Sequence, residues 1–172
     1  MADHFEIAAP RPCGPADPPL VLRLFTKRDT NVLVRLTAED CSHAPLAIAM
    51  SALKMPVELR LVGADAAPIA PAHDKRQIMK YDATVRVGDF VPLAPGQEIV
   101  LVTTSFAPIA GGYALEWESL AYEPLPAGRY ALTASRTNLR TKAYDDDARG
   151  ERPIPRVWTG TATSNEIVVD LR

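Results

Sequence analysis

Proline constrains the fold of this 172-residue chain more than any other residue type, because sixteen prolines are distributed along it. An average chain of this length carries about half that number. Proline donates no backbone hydrogen bond and is excluded from helix interiors and central strands, so the chain must consist of short segments separated by turns. Five prolines lie between Pro10 and Pro19, which predicts an extended N-terminal arm over residues 1–19 and a folded domain over residues 20–172.

The segments between the prolines alternate apolar and polar residues with the period of two that is typical of β-strands. The alternating segments are Leu20–Phe25, Val32–Thr37, Val57–Leu61, Thr84–Val87 and Tyr113–Glu118, with an apolar run at Ile99–Val102. Their spacing predicts an all-β antiparallel sandwich of about eight or nine strands. Leu46–Met55 is the one segment with helical spacing of its apolar residues, and a short strand is nearly as well supported there.

Two motifs near the C-terminus carry a family resemblance. The first is Leu125–Tyr130, with the form Leu-Pro-x-Gly-x-Tyr, and the second runs from Trp158 through Ser164 and Asn165 to Leu171. They resemble the closing strands of immunoglobulin-like and fibronectin type III-like domains, including bacterial domains of the intracellular proteinase inhibitor type. The resemblance implies an immunoglobulin-like β-sandwich in which the Tyr130 hydroxyl bonds to the backbone just upstream, as in a tyrosine corner. The chain departs from that pattern by a long polar insert, Asn138–Arg156.

Composition excludes several classes of partner. The formal net charge is −2 and the basic residues form no long block, which argues against a nucleic acid partner. No apolar stretch approaches the length of a membrane span, and Met1–Ala9 lacks the pattern of a secretory signal. We therefore expect a cytoplasmic protein without membrane insertion. In that compartment the only cysteines, Cys13 and Cys41, are expected to be reduced thiols, with a single disulfide as the alternative.

The chain offers few candidates for catalysis or metal binding. Its histidines, His4, His43 and His73, all fall in segments predicted to be solvated. Cys41 and His43 form a Cys-x-His pair, but a closed zinc site would also need Cys13 and His73. The acidic run Asp145–Asp147 lacks the spacing of a calcium loop and is interpreted as a solvated loop. It would be balanced by Arg136, Arg140, Lys142, Arg149, Arg152 and Arg156. We therefore predict no enzyme activity, no cofactor, and no catalytic, cofactor-binding or metal-binding residue.

The remaining function is that of an interaction module. Trp117 and Trp158 are predicted to pack in the core rather than to form a sugar-binding platform. The long segments Gly63–Lys80 and Asn138–Arg156 are predicted to be exposed and charged, so they or a free edge strand are expected to bind an unidentified protein or peptide. A carbohydrate- or small-molecule-binding module and a structural accessory subunit are the alternatives, and homo-oligomerisation stays open.

Overall fold

The computed structural model of the protein describes residues 13–50, 54–75 and 82–172. These residues form fourteen strands and contain no α-helix, so the predicted all-β class is confirmed. The strands are β1 Leu20–Arg28, β2 Val32–Asp40, β3 Leu46–Ala49, β4 Glu58–Val62, β5 His73–Asp74, β6 Phe90–Leu93, β7 Glu98–Ile109, β8 Gly112–Trp117, β9 Leu120–Leu125, β10 Gly128–Asn138, β11 Lys142–Asp145, β12 Gly150–Pro153, β13 Gly160–Thr163 and β14 Ile167–Leu171. No helix in the described ranges is long or apolar enough to cross a lipid bilayer.

Two antiparallel sheets form the body of the fold. The larger sheet has six strands in the order β1-β2-β7-β8-β9-β5. In the smaller sheet β10 is central. Both β4 and β14 pair with Ala131 and Leu132, so they lie on opposite edges of β10, and β13 continues the β14 edge. The described residues form more strands than the expected eight or nine. The two main sheets hold ten strands, and two short ribbons, β3–β6 and β11–β12, add four.

The inner faces of the two sheets meet in one hydrophobic core, which makes the fold sandwich-like. Phe106, Leu115 and Trp117 enter this core from the six-stranded sheet, and Leu132 enters it from β10. The indole Nε1 of Trp117 donates to the carbonyl oxygen of Val57 at 2.9 Å, so this side chain also joins the six-stranded sheet to the segment that begins β4. Burial of such large apolar side chains is the main source of stability in a fold of this kind.

The alternation predicted for the first strands is confirmed. Leu20, Leu22 and Leu24 are buried along β1, and Val34 and Leu36 are buried along β2. In the antiparallel register Leu24 lies opposite Leu36, so both side chains point to the same face of the sheet. A shift of one residue would turn these leucines to the outer face, and their burial therefore fixes the register.

Of the two structures left open at Leu46–Met55, the structure shows the short strand, and the helix is wrong in the part that is described. Leu46–Ala49 forms β3, with Leu46 opposite Leu93 of β6. Its other edge is also bonded, because the Ala47 N–H donates to Arg156 and the Trp158 N–H donates to the Ala47 carbonyl. A helix between Pro45 and Pro56 would be too short to be stable in isolation, whereas a strand here is bonded on both edges.

The strand predicted at Thr84–Val87 is also wrong. Val87–Asp89 forms a single 3-10 turn, in which an Asp89 carboxylate oxygen accepts the N–H of Arg86 at 2.7 Å. Val85 is buried, but Val87 is exposed. The alternating residues were therefore a misleading signal, because Gly88 and the Asp89 side chain favour a local turn over a sheet ladder.

The hydrogen bond implied for Tyr130 is present. Its hydroxyl donates to the carbonyl oxygen of Pro126 at 2.7 Å, four residues upstream. The ring lies in the core beside Phe106, with the ring centroids 6.5 Å apart. Burial raises the pKa of the Tyr130 hydroxyl, so it keeps its proton and remains a donor.

A candidate interaction surface at the β11–β12 hairpin

The polar insert Asn138–Arg156 contains a β-hairpin rather than only a solvated loop. β11 pairs with β12 in antiparallel register, with Asp145 opposite Gly150. At the tip, the Asp145 carboxylate accepts the N–H of Asp147 at 3.0 Å and that of Ala148 at 3.3 Å, which closes the turn. Arg149 then takes a left-handed conformation with φ of 51° before the glycine. The acidic run predicted to be exposed is therefore the ordered tip of a hairpin.

A second, smaller hydrophobic cluster anchors the base of this hairpin. Ala143 and Ile154 are buried there, against Ala49, Met55 and Val85. The Tyr144 N–H also donates to the carbonyl oxygen of Val85 at 2.9 Å, which attaches β11 to the preceding loop. The hairpin is thus held to the end of the sandwich through both apolar packing and a backbone hydrogen bond.

Ion pairs link the hairpin tip to the same loop. Arg86 contacts Asp82 at 2.7 Å and Asp146 at 3.1 Å, and Arg152 contacts Asp145 at 3.2 Å. Hydrogen bonds to Asp82 and then to Asp146 raise the pKa of Arg86. The pKa of Asp82 lies below its usual range, chiefly because Thr84 and then Arg86 bond to its carboxylate. Asp82, Asp146 and Arg152 are exposed and Arg86 and Asp145 are half-buried, so these ion pairs orient the tip more than they stabilise the fold.

Arg136 does not balance the acidic tip, which corrects the sequence prediction. Its side chain is buried, and the guanidinium donates to the carbonyl oxygen of Met55 at 3.2 Å. Burial lowers the pKa of Arg136, and the nearby Glu118 carboxylate opposes that shift. The residue is a structural link between β10 and the second hydrophobic cluster.

The predicted histidine and cysteine positions are not brought together as a zinc site. His4 lies outside the described residues, and His43 is exposed just beyond β2. His73 lies on β5, where its Nε2 is 3.7 Å from Glu123. Three strands separate β5 from β2 in the sheet, so His73 is not on a strand next to the one that leads into Cys41.

Cys13 and Cys41 form a disulfide, so the prediction of two reduced thiols is wrong. Their Cα atoms are 5.5 Å apart, within the usual range for such a bond. Cys13, Cys41 and Glu39 are the only three potential metal ligands that cluster within the described ranges. The sulfur atoms are bonded to each other, however, and neither is the thiolate that a metal requires.

The structure also shows where the two tryptophans, the Gly63–Lys80 connection and part of the N-terminal arm lie. Trp117 and Trp158 are both buried, which confirms that they pack in the core. The described part of the Gly63–Lys80 connection, residues 63–75, is mostly exposed and ends in the short strand β5, while residues 76–80 lie outside the described ranges. The arm is described only from Cys13 onward.

The residues that attach the hairpin to the sandwich carry no signal in the sequence. Ile154 stands alone between Pro153 and Pro155, and Ala143 is small and flanked by polar residues, so neither has a periodic apolar neighbour. Arg86 lies in the segment predicted to be a strand, but its side chain links the loop to Asp146. No local pattern identifies such contacts, because the partners are about 60 residues apart in the chain.

Fold and surface together define an all-β, sandwich-like domain with an ordered, exposed hairpin at one end. No protein-family model matches the chain, and no curated protein sequence matches it significantly.

Proposed function

We propose that this protein is a non-enzymatic module that binds a protein or peptide through the β11–β12 hairpin. The observation that carries the proposal is the combination of an exposed ribbon with a buried anchor. β12 is exposed along most of its length, while Ala143 and Ile154 at the base are buried. A surface that is already ordered loses little conformational entropy on binding, so more of the contact energy contributes to affinity.

The outer edge of β12 favours binding by strand addition. The Tyr144 N–H points away from β12, towards Val85, so Tyr144 and Glu151 form a non-hydrogen-bonded pair of the ribbon. In such a pair the backbone groups of both residues point away from the partner strand, so the N–H and carbonyl of Glu151 point to the outer side of β12. No hydrogen bond from the described residues reaches those groups of Glu151. An extended peptide that paired there would satisfy them.

Two edge strands of the main sheets, β1 and β4, are less suited to that role, because other parts of the chain bond to their backbone groups. Along β1, the Asn165 amide bonds both the N–H and the carbonyl of Leu24. Along β4, the Tyr122 hydroxyl lies 3.5 Å from the carbonyl oxygen of Leu59, and the Ile69 N–H donates to Leu61. These contacts hinder pairing with another chain.

We also propose that the domain is immunoglobulin-like and, as a narrower form of the binding function, that it inhibits a proteinase. The Tyr130 hydrogen bond supports the resemblance to immunoglobulin-like and fibronectin type III-like domains. A rigid exposed hairpin that carries Arg149 is also compatible with a proteinase inhibitor. Hydrolysis of a casein substrate by trypsin-like and subtilisin-like proteases, with and without the purified protein, tests that narrower form. Stoichiometric inhibition supports it, and unchanged rates contradict it.

Site-specific photocrosslinking in cells of the source organism tests the binding surface. A photoreactive residue at Asp147, on the hairpin tip, is compared with one at Asp65, in the exposed loop after β4. We expect a discrete crosslinked protein from position 147 alone, and excess unlabelled protein should compete for it. Equal crosslinking from both positions, or none from position 147, contradicts the proposal.

A matched pair of variants tests the strand-addition mode. Glu151→Pro removes the outward N–H, whereas Glu151→Ala removes only the side chain. If a partner pairs with β12, the proline variant loses the crosslink and the alanine variant keeps it. Loss in both variants assigns the contact to the carboxylate instead, and retention in both places the partner away from this edge.

A further inference from the structure

The outer edge of β12 offers only a short stretch of backbone to a paired strand. The Ile154 N–H donates to the Thr141 carbonyl at 2.9 Å, whereas the Tyr144 N–H donates away from β12, so hydrogen-bonded and non-hydrogen-bonded pairs alternate along the ribbon. Glu151 and Pro153 therefore both direct their backbone groups outward. Since proline has no N–H, the edge provides the N–H and carbonyl of Glu151 and the carbonyl of Pro153. So few backbone groups give a partner no sequence preference, and selectivity must come from side chains.

Glu151 carries the side chain that a paired strand meets on this edge. It is exposed, and it shares one face of the ribbon with Tyr144, directly opposite, and with Lys142. The other face is the inner one, because it carries the buried Ala143. Within the described ranges the Glu151 carboxylate forms no ion pair, not even with Lys142, whereas Arg152 on the inner face is already paired. The outer face therefore presents an uncompensated negative charge beside an aromatic ring.

A basic side chain fits this position. In a sheet, the residue of the neighbouring strand that lies beside Glu151 points to the same face. A lysine or arginine there would pair with the carboxylate, and its long side chain would extend towards the Tyr144 ring, which attracts a cation. An acidic side chain would be repelled, and an apolar one would leave the carboxylate without a counterion. The charge of this face thus favours a basic partner residue.

A second copy of this chain fits the same edge poorly. Two identical strands related by a two-fold axis pair in antiparallel orientation, and residues with outward backbone groups lie opposite one another. Glu151 would then lie opposite Glu151 of the second copy, with like charges side by side. A shifted register would place Glu151 opposite Pro153, which has no N–H, or opposite Arg149, which leaves the extended conformation with φ of 51°. The edge is therefore better suited to a different chain.

We propose that the strand that pairs with β12 comes from a different protein and carries a lysine or arginine beside Glu151. This inference rests on the proposed function and adds the chemistry of the partner. An exposed ion pair contributes little to affinity, so the basic residue sets the register and the choice of partner. Loss of the Glu151 side chain alone should weaken binding by less than about tenfold, which leaves a crosslink from the hairpin tip in place.

Selection from a displayed library of random short peptides tests this chemistry on the full-length, disulfide-bonded protein. We expect peptides enriched on the unmodified protein to carry lysine or arginine at one fixed position, and those enriched on Glu151→Lys to carry aspartate or glutamate there. Glu166→Lys makes the same change of charge at an exposed position between β13 and β14 and should select the same peptides as the unmodified protein. Glu151→Pro should enrich none of them, because it removes the outward N–H.

Affinities of synthetic peptides separate this inference from the proposed function. The unmodified protein should bind an enriched peptide about three- to tenfold more tightly than the same peptide with glutamate in place of the basic residue, and Glu151→Lys should reverse that order. Binding to β12 without a charge preference overturns the inference and leaves the proposed function intact. Failure of the proposed function is seen instead as the absence of a crosslink from position 147. The inference is also overturned if no enriched peptide depends on Glu151, or if sedimentation equilibrium shows a dimer that Glu151→Pro dissociates.

Discussion

Single polar side chains close the gaps between the strands of this fold by bonding to the backbone of another element. The Asn165 amide accepts the Leu24 N–H at 2.8 Å and donates to the Leu24 carbonyl at 3.1 Å, so it takes the place of one residue of a neighbouring strand. The Trp117 indole likewise donates to the backbone carbonyl oxygen of Val57. Buried backbone groups left unpaired would each cost about 1 to 3 kcal/mol. These residues therefore matter through their donors and acceptors as well as through their burial.

Removal of the Tyr130 hydroxyl tests the best-defined of these contacts. Tyr130→Phe keeps the ring beside Phe106 but deletes the donor to Pro126. We expect the free energy of unfolding to fall by about 1 kcal/mol, measured by urea denaturation. Tyr113→Phe is the control, because the Tyr113 hydroxyl bonds to the terminal residue Arg172 and its loss should matter less. Equal effects of the two variants would contradict a special role for the Tyr130 corner.

Asp89 should make stability depend on pH in the acid range. Burial raises the pKa of its carboxyl group, but the Arg86 N–H and the Lys54 ammonium outweigh that effect and lower the pKa overall. A lowered folded-state pKa stabilises the fold above the unfolded-state pKa, and this stabilisation is lost as the pH falls through the folded-state value. The loss from Asp89→Asn should therefore be constant near neutral pH and shrink below about pH 4.

Urea denaturation between neutral and acidic pH measures this difference. The control is Asp29→Asn, an exposed aspartate for which we expect almost no change at any pH. A loss for Asp89→Asn that stays the same at acidic pH would show that the carboxylate charge does not stabilise the fold.

The length of each strand decided how well the sequence alone predicted it. β1 and β2 have nine residues each, long enough for the period of two to be clear, and the alternation predicted for them is confirmed. β3, β11 and β12 have four residues each, too few to separate a strand from a turn or a helix. Their strand geometry depends on partners such as β6, which a single sequence does not reveal.

The apolar anchor of the hairpin can be weakened without a change to its exposed face. Ile154→Ala removes a buried side chain from the second hydrophobic cluster, and we expect a loss of about 2 kcal/mol. Because this cluster is separate from the main core, the hairpin should open before the sandwich unfolds. Hydrogen exchange at Ala143 and Tyr144 would therefore become faster while exchange at Leu36 stays slow.

A control within the same insert makes this result specific. Leu139→Ala truncates a side chain that is 80% exposed, so it should change neither stability nor exchange. If Ile154→Ala instead accelerated exchange in the core strands to the same degree as in the hairpin, the hairpin would not be a separate unit. The pre-organised surface proposed for partner binding would then depend on the whole sandwich.

At the scale of the whole molecule, the disulfide changes the predicted division into arm and domain. Part of the predicted arm, Cys13–Pro19, is tied to the end of β2 by the Cys13–Cys41 bond. Two cysteines in segments 28 residues apart gave no local signal that they would pair, since neither spacing nor composition brings the two segments together. A structural disulfide is also uncommon in a reducing cytoplasm. The cytoplasmic location remains a prediction, and this bond weighs against it.

Reduction of the disulfide should destabilise the protein by an amount set by its loop. The bond closes a loop with a sequence separation of 28, and the chain-entropy argument gives about 3.5 kcal/mol for a loop of that length. Thermal unfolding with and without a phosphine reductant measures this loss. The double variant Cys13→Ser with Cys41→Ser should match the reduced protein and show no response to reductant. Two free thiols in the denatured but unreduced protein would contradict the disulfide and favour the cytoplasmic location. An intact disulfide in protein isolated under thiol-blocking conditions would instead favour an oxidising compartment, where the arm would stay fixed against β2.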